Sequence, residues 1–131
     1  MASLMQYLLV GVGGFIGANA RFVMARLVGA YFETKFPLGT FLINVSGSFL
    51  LGVLGTVVTQ KVMPGSESMR LALGVGFLGA YTTFSTFEFE THALVDDGSW
   101  LTATMNVFAS LFIGLLAVRA GIVLAKTWFA P

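Results

Sequence analysis

The chain has 131 residues, of which 56% are hydrophobic and only 10% charged, with a net charge of +1. A soluble domain carries about 25% charged residues to keep its surface wet; this chain has too few to cover a water-exposed globule and needs lipid around it. No cysteine is present, which excludes a disulfide framework or a thiolate site, and no basic run marks a nucleic-acid partner.

Charge-free stretches locate four spans in a single domain over residues 1–131: Ala2 to Ala20, Phe36 to Gln60, Leu71 to Phe87 and Gly98 to Val118. Each approaches or exceeds the roughly 17–25 residues that cross a hydrocarbon core. With charged residues allowed near the ends, these predict helices over about 4–30, 38–61, 70–95 and 100–127, an all-α membrane protein with both termini on one side. The first stretch could also pass for a signal peptide, with Ala18-Asn19-Ala20 at the cleavage site, but no Lys or Arg precedes it. A retained membrane helix is the reading preferred.

Topology follows from Lys and Arg in short loops. Lys61, Arg70, Arg119 and Lys126 fall on the side of the termini, with Arg21, Arg26 and Lys35 opposite. A near-balanced count fits a weak signal, or insertion both ways up into an antiparallel homodimer. In the first helix Gly13 and Gly17, and in the second Gly47, Ser48 and Gly52, stand at helix-contact spacing. They serve packing within the chain or between chains; the thinness of a four-helix bundle favours an oligomer.

Asn44 lies early in the second span, either as interhelical glue or as a donor to an anion. In the third span Gly74-Val-Gly76-Phe-Leu-Gly79 imitates a dinucleotide fingerprint. It lacks the strand and soluble βαβ unit that fingerprint requires. The glycines instead weaken a helix just before Thr82-Thr83-Phe84-Ser85-Thr86-Phe87, whose hydroxyls compete for backbone hydrogen bonds. The pattern predicts a break near the bilayer midplane, the alternative being an intact helix with hydroxyls bonded to the preceding turn. Such a break is tolerated where it is buried, lines a cavity or binds an ion.

Later in the third span, Glu88 and His92 share a helix face and, with Glu90, read as a solvated or hydrogen-bonded helix end. Asp96-Asp97-Gly98-Ser99 and Met63-Pro64-Gly65-Ser66 read as turns. In the fourth span Asn106 and Ser110 sit one turn apart on one face. Arg21 reaches an interface from the first span or draws anions to a pore mouth.

Four stretches together resemble the Fluc (CrcB) family of fluoride channels. They are Gly14-Phe-Ile-Gly-Ala-Asn-Ala-Arg21, Gly39-Thr-Phe-Leu-Ile-Asn44-Val-Ser-Gly47, Gly76-Phe-Leu-Gly79-Ala-Tyr-Thr-Thr-Phe84-Ser-Thr-Phe87 and Ser110-Leu-Phe-Ile-Gly114. The resemblance covers almost the whole chain and implies an antiparallel, dual-topology homodimer with two fluoride pathways, in the inner membrane of a bacterial cell. By the same resemblance, backbone carbonyls at Gly79 and Thr82 hold a structural sodium ion at the dimer interface. Phe84 and Phe87 match the pore phenylalanines and Asn44 the pore asparagine. Ser85, Thr86 and Ser110 supply polar contacts, and Arg21 a favourable potential at an entrance. The sequence departs from the pattern on the fourth helix, where Asn106 and Gly114 stand at positions that hold a tyrosine or hydroxyl in some relatives.

The competing expectations are a small multidrug-type proton-coupled antiporter and a non-conducting membrane scaffold. The antiporter needs a membrane-embedded carboxylate, which the first, second and fourth spans lack. An enzyme is not expected, with one His and no base–nucleophile spacing.

Overall fold

The computed structural model describes residues 3–60 and 64–129. Among these the chain is helical, with no strand. Helix α1 runs Leu4–Tyr31 and begins at a capping box: the Ser3 hydroxyl accepts from the Gln6 amide while the Gln6 side chain accepts from the Ser3 amide. Helix α2 runs Leu38–Thr59. The predicted end of the second helix at Lys61, and Met63 of the predicted turn, lie outside the described residues.

The third apolar stretch is built differently from the others. A short helix α3, Ser66–Met69, continues as a π-helix over Arg70–Leu78 and a single turn α4, Gly79–Tyr81. Gly74, Gly76 and Gly79 weaken the α-helical preference here, and the wider spiral occupies the stretch. Thr82 and Thr83 are then extended, at φ −78°, ψ 158° and φ −151°, ψ 118°, before helix α5 takes up Phe84–Asp96. Gly98, at φ 74°, turns the chain into α6, Trp100–Phe129.

Helices α1, α2 and α6 are each long and apolar enough to cross a membrane. Their large apolar side chains point outward: Phe15 is 72% exposed, Leu101 76% and Trp128 77%. The surface totals 8520 Å², against about 6,700 Å² for a compact soluble monomer of this mass by surface scaling. These are the faces of a multi-pass membrane protein.

Glycines set how the helices meet. A Cβ on Gly13 would strike the Ala72 carbonyl, one on Gly17 the Phe77 carbonyl, and one on Gly76 would come to 2.7 Å from the Val10 carbonyl. So α1 and the π-helix lie backbone to backbone. The same holds for α2 and α6, where a Cβ on Gly52 would meet the Val118 carbonyl and one on Gly121 the Phe49 carbonyl. The small residues at 13, 17 and 52 are therefore used inside one chain, and their spacing is no argument for an oligomer.

At one end of the bundle the Lys35 amine lies 2.9 Å from the Asp97 carboxylate and reaches the Ser99 hydroxyl at 3.5 Å. The bond from Lys35, with a second from Ser99, holds the Asp97 carboxyl below the usual aspartate range. This exposed pair ties the α1–α2 link to the turn before α6; screened by solvent, it adds little stability.

Candidate functional site

The two extended residues between α4 and α5 would leave backbone groups without helical partners. Asn44, on α2, supplies them. Its Nδ2 donates to the Thr83 carbonyl at 2.9 Å and its Oδ1 accepts from the Thr83 amide at 2.8 Å. One side-chain amide thus pairs with both main-chain polar groups of one buried residue. The Thr83 amide is the one that a continuous α-helix would aim at the Gly79 carbonyl. Here it is turned to Asn44 instead.

Local side-chain bonds finish the two helix ends. The Thr82 hydroxyl donates to the Leu78 carbonyl at 2.9 Å, closing α4. The Thr83 hydroxyl accepts from the Thr86 amide at 3.3 Å and donates to the Thr86 hydroxyl at 2.9 Å, capping α5. Behind this junction Tyr81 is buried, stacked on Phe77 with ring centroids 5.7 Å apart, and its hydroxyl lies 3.0 Å from that of Ser46.

The junction borders a cavity of about 500 Å³. Six of the nine residues singled out in the sequence line it: Asn44, Gly79, Thr82, Phe84, Phe87 and Ser110. Phe84 and Phe87 face it one helical turn apart, with ring centroids 5.8 Å apart and planes tilted by 37°. Among the described residues, no Asp, Glu, Lys, Arg or His is in its wall. A cavity that is apolar except for an amide, hydroxyls and ring edges suits a small ion stripped of its water.

Ser85, Thr86 and Arg21 are not in that wall. Ser85 is on the exposed face of α5, Thr86 serves the cap, and Arg21 is on α1, which contributes nothing to this cavity. Two residues not singled out as site residues do enter the account. Thr83 is the group that Asn44 holds, and Thr91 joins the fourth-helix side chains. The hydroxyl run 82–86 carried a signal for Thr83; Thr91 continues the third-helix motif in the sequence, but its bond to Asn106 depends on α6 packing beside α5.

Asn106 is 1% exposed and forms the centre of that second network. Its Nδ2 donates to the Thr91 hydroxyl at 2.8 Å, Thr91 donates to the Phe87 carbonyl at 2.7 Å, and Ser110 donates to Asn106 Oδ1 at 3.3 Å. Gly114 lies against Ser48 of α2, where a Cβ would come to 3.9 Å from its hydroxyl oxygen.

Two further cavities adjoin the first. One of about 510 Å³ shares Leu51 with it and ends at Gln60 and Lys126. Another, of about 390 Å³, shares Phe87 and Val107 and includes Glu88, Thr91 and His92. At that end His92 pairs with Asp96, at 3.1 Å, instead of Glu88. Glu90 is only half-exposed: Thr40 bonds its carboxyl group while Oε2 is buried without a partner. Among the described residues no cluster of three or more His, Asp or Glu side chains could hold a metal.

A family model described as "CrcB-like protein, Camphor Resistance (CrcB)" matches residues 8–122. The chain belongs to the CrcB family. Its relatives include the fluoride-specific ion channel FluC of Solibacter usitatus, 43% identical over 122 residues, which are 93% of this chain and 99% of the relative. The FluC of Acidobacterium capsulatum is 46% identical over 93% of this chain and 97% of its own length. That of Hydrogenovibrio crunogenus is 42% identical over 97% and 96%. This CrcB chain therefore matches proteins named as fluoride channels along nearly its whole length.

Proposed function

We propose that this protein is a fluoride-selective channel that lets fluoride leave the cell passively, down its electrochemical gradient, through the inner membrane of a bacterium. The observation that carries this reading is the uncharged cavity at the Thr82–Thr83 junction, where Asn44, Ser110, Phe84 and Phe87 converge. Taking a small anion out of water costs a large free energy, which the wall must offset with donors and positive ring edges. Asn44 keeps a second Nδ2 proton beyond the one given to Thr83. Ser110 offers a hydroxyl, and the two phenylalanines offer edges without adding a charge that would trap the ion. Arg21 gives a favourable potential near an entrance, and Ser85 and Thr86 complete the polar surface around the junction.

The absence of a carboxylate from this cavity weighs against a proton-coupled antiporter, which needs one to exchange proton for substrate. A non-conducting scaffold would have no use for the convergence of amide, hydroxyl and rings.

The segments α3 to α4 and α5 together make one membrane span, interrupted near the bilayer midplane. Two copies pair antiparallel as a dual-topology homodimer, each completing the other's cavity wall. The large exposed side chain of Phe84, at 70%, supports a partner on this face. At the dimer interface the carbonyls of Gly79 and Thr82 are fitted to hold a structural sodium ion. Gly79 is exposed and has lost the Thr83 amide as a helical partner, and backbone oxygens are the ligands that hard cations take. Such an ion supplies positive charge that holds the junctions of two chains together.

Phe87→Ile and Phe84→Ile test the ring edges. Each keeps an apolar side chain of moderate size but removes the quadrupole. Fluoride currents in planar bilayers are expected to fall by up to about tenfold, the worth of one edge-on ring contact of about 1.5 kcal/mol. Unchanged currents in both variants would remove the rings from the pathway.

A further inference from the structure

We propose that Asn106, which does not line the cavity, is a positioning residue for conduction: it holds the Ser110 hydroxyl as a donor that can be released to a passing anion. The inference rests on the fluoride-channel reading and assigns a function to a residue at which this chain departs from some of its relatives.

The direction of the network Ser110–Asn106–Thr91–Phe87 is fixed from its far end. The Phe87 carbonyl can only accept, so the single hydroxyl proton of Thr91 is committed to it, at 2.7 Å. The Thr91 oxygen is left as an acceptor, and Asn106 must face it, at 2.8 Å, with nitrogen and not with oxygen. That sets Oδ1 toward Ser110, and because Oδ1 can only accept, Ser110 must donate. Asn106 is 1% exposed, so water does not compete for its amide.

Ser110 is the one side chain of this network, apart from the Phe87 ring, that lines the cavity. Its bond to Oδ1, at 3.3 Å, is the longest of the three. A rotation about χ1 exchanges this weak neutral bond for a stronger, charge-assisted one to an anion. When the ion leaves, Oδ1 takes the proton donor back. Without an acceptor at position 106, the hydroxyl falls back on the carbonyl four residues earlier in its own helix, as serines in helices do. It is then withdrawn from the ion.

The test is a double-mutant cycle in fluoride efflux from liposomes, with wild type, Ser110→Ala, Asn106→Leu and the double variant. Each single variant is expected to lose about tenfold in rate, the effect of one hydrogen bond to a charged group. The double variant is expected to lose no more than either single one, because the two residues act as a unit. Losses that multiply to about a hundredfold would overturn the proposal, since a merely structural Asn106 acts independently of Ser110. So would undiminished efflux in Ser110→Ala or Asn106→Leu. If Asn106→Leu does not fold, Thr91→Val replaces it in the cycle, with the same coupling to Ser110 expected and additivity again the contrary result. Absence of fluoride efflux from wild type would instead overturn the channel reading, and this proposal with it.

Discussion

Replacing Asn44 with Leu is expected to abolish fluoride conduction and to lower the melting temperature of the protein in detergent. The side chain is nearly the same size, so packing changes little, but the Thr83 amide and carbonyl both lose their partner. Each buried group left unpaired costs about 1–3 kcal/mol, and no water in the membrane interior stands ready to replace Asn44. The junction then closes toward a regular helix, the cavity wall loses its shape, and a donor to the anion is lost as well. Ionised, Asn44→Asp still accepts from the Thr83 amide but repels both the Thr83 carbonyl and an anion; protonated, it restores both bonds to Thr83. Fluoride efflux from Asn44→Asp is expected to be as low as from Asn44→Leu at neutral and higher pH and to recover in part as pH falls. Wild-type efflux from Asn44→Leu would show that the clamp on Thr83 is dispensable.

Gly17→Val is expected to prevent the folded protein from accumulating. A Cβ at that position runs into the Phe77 carbonyl, and a carbonyl of a packed helix, unlike a side-chain tip, cannot rotate away. Overpacking of this kind costs about 1–3 kcal/mol even in adaptable cores, and a β-branched residue between two backbones exceeds that. Gly121→Val, aimed at the Phe49 carbonyl, is expected to behave alike. Gly11→Ala is the control: nothing lies within 4 Å of its added Cβ, and it is expected to melt at or above the wild-type temperature. Yield and monodispersity in detergent, followed by melting, check all three. A well-folded Gly17→Val would mean that α1 and the π-helix do not approach as closely as described.

Much of this architecture could be read from the residues alone, for identifiable reasons. Long apolar stretches without charge have one stable form in lipid, so the helices over the first, second and fourth stretches follow from composition. The cluster of glycines and hydroxyls at 74–86 marked where regular hydrogen bonding would fail. It could not reveal that the upstream half widens into a π-helix, because that depends on how α1 packs against it through Gly13, Gly17 and Gly76. Of the two roles considered for Asn44, the structure realises the interhelical one, and its partner is a main-chain peptide on α5's threshold. The direction of the Ser110–Asn106–Thr91 network was hidden for a similar reason. Spacing showed that Asn106 and Ser110 share a face, but only the approach of α5 supplies Thr91. Small residues at helix spacing carried the opposite lesson: they speak for close packing without saying whether the neighbour is the same chain or another.

The central claim is that an uncharged cavity selects fluoride by offering donors and ring edges in place of water. Purified protein reconstituted into liposomes loaded with either fluoride or chloride tests it most directly, with ion release followed by electrode under a fixed potassium diffusion potential. Rapid release of fluoride with almost no release of chloride is the result expected. Equal release of the two ions, or release of neither, would contradict the assignment.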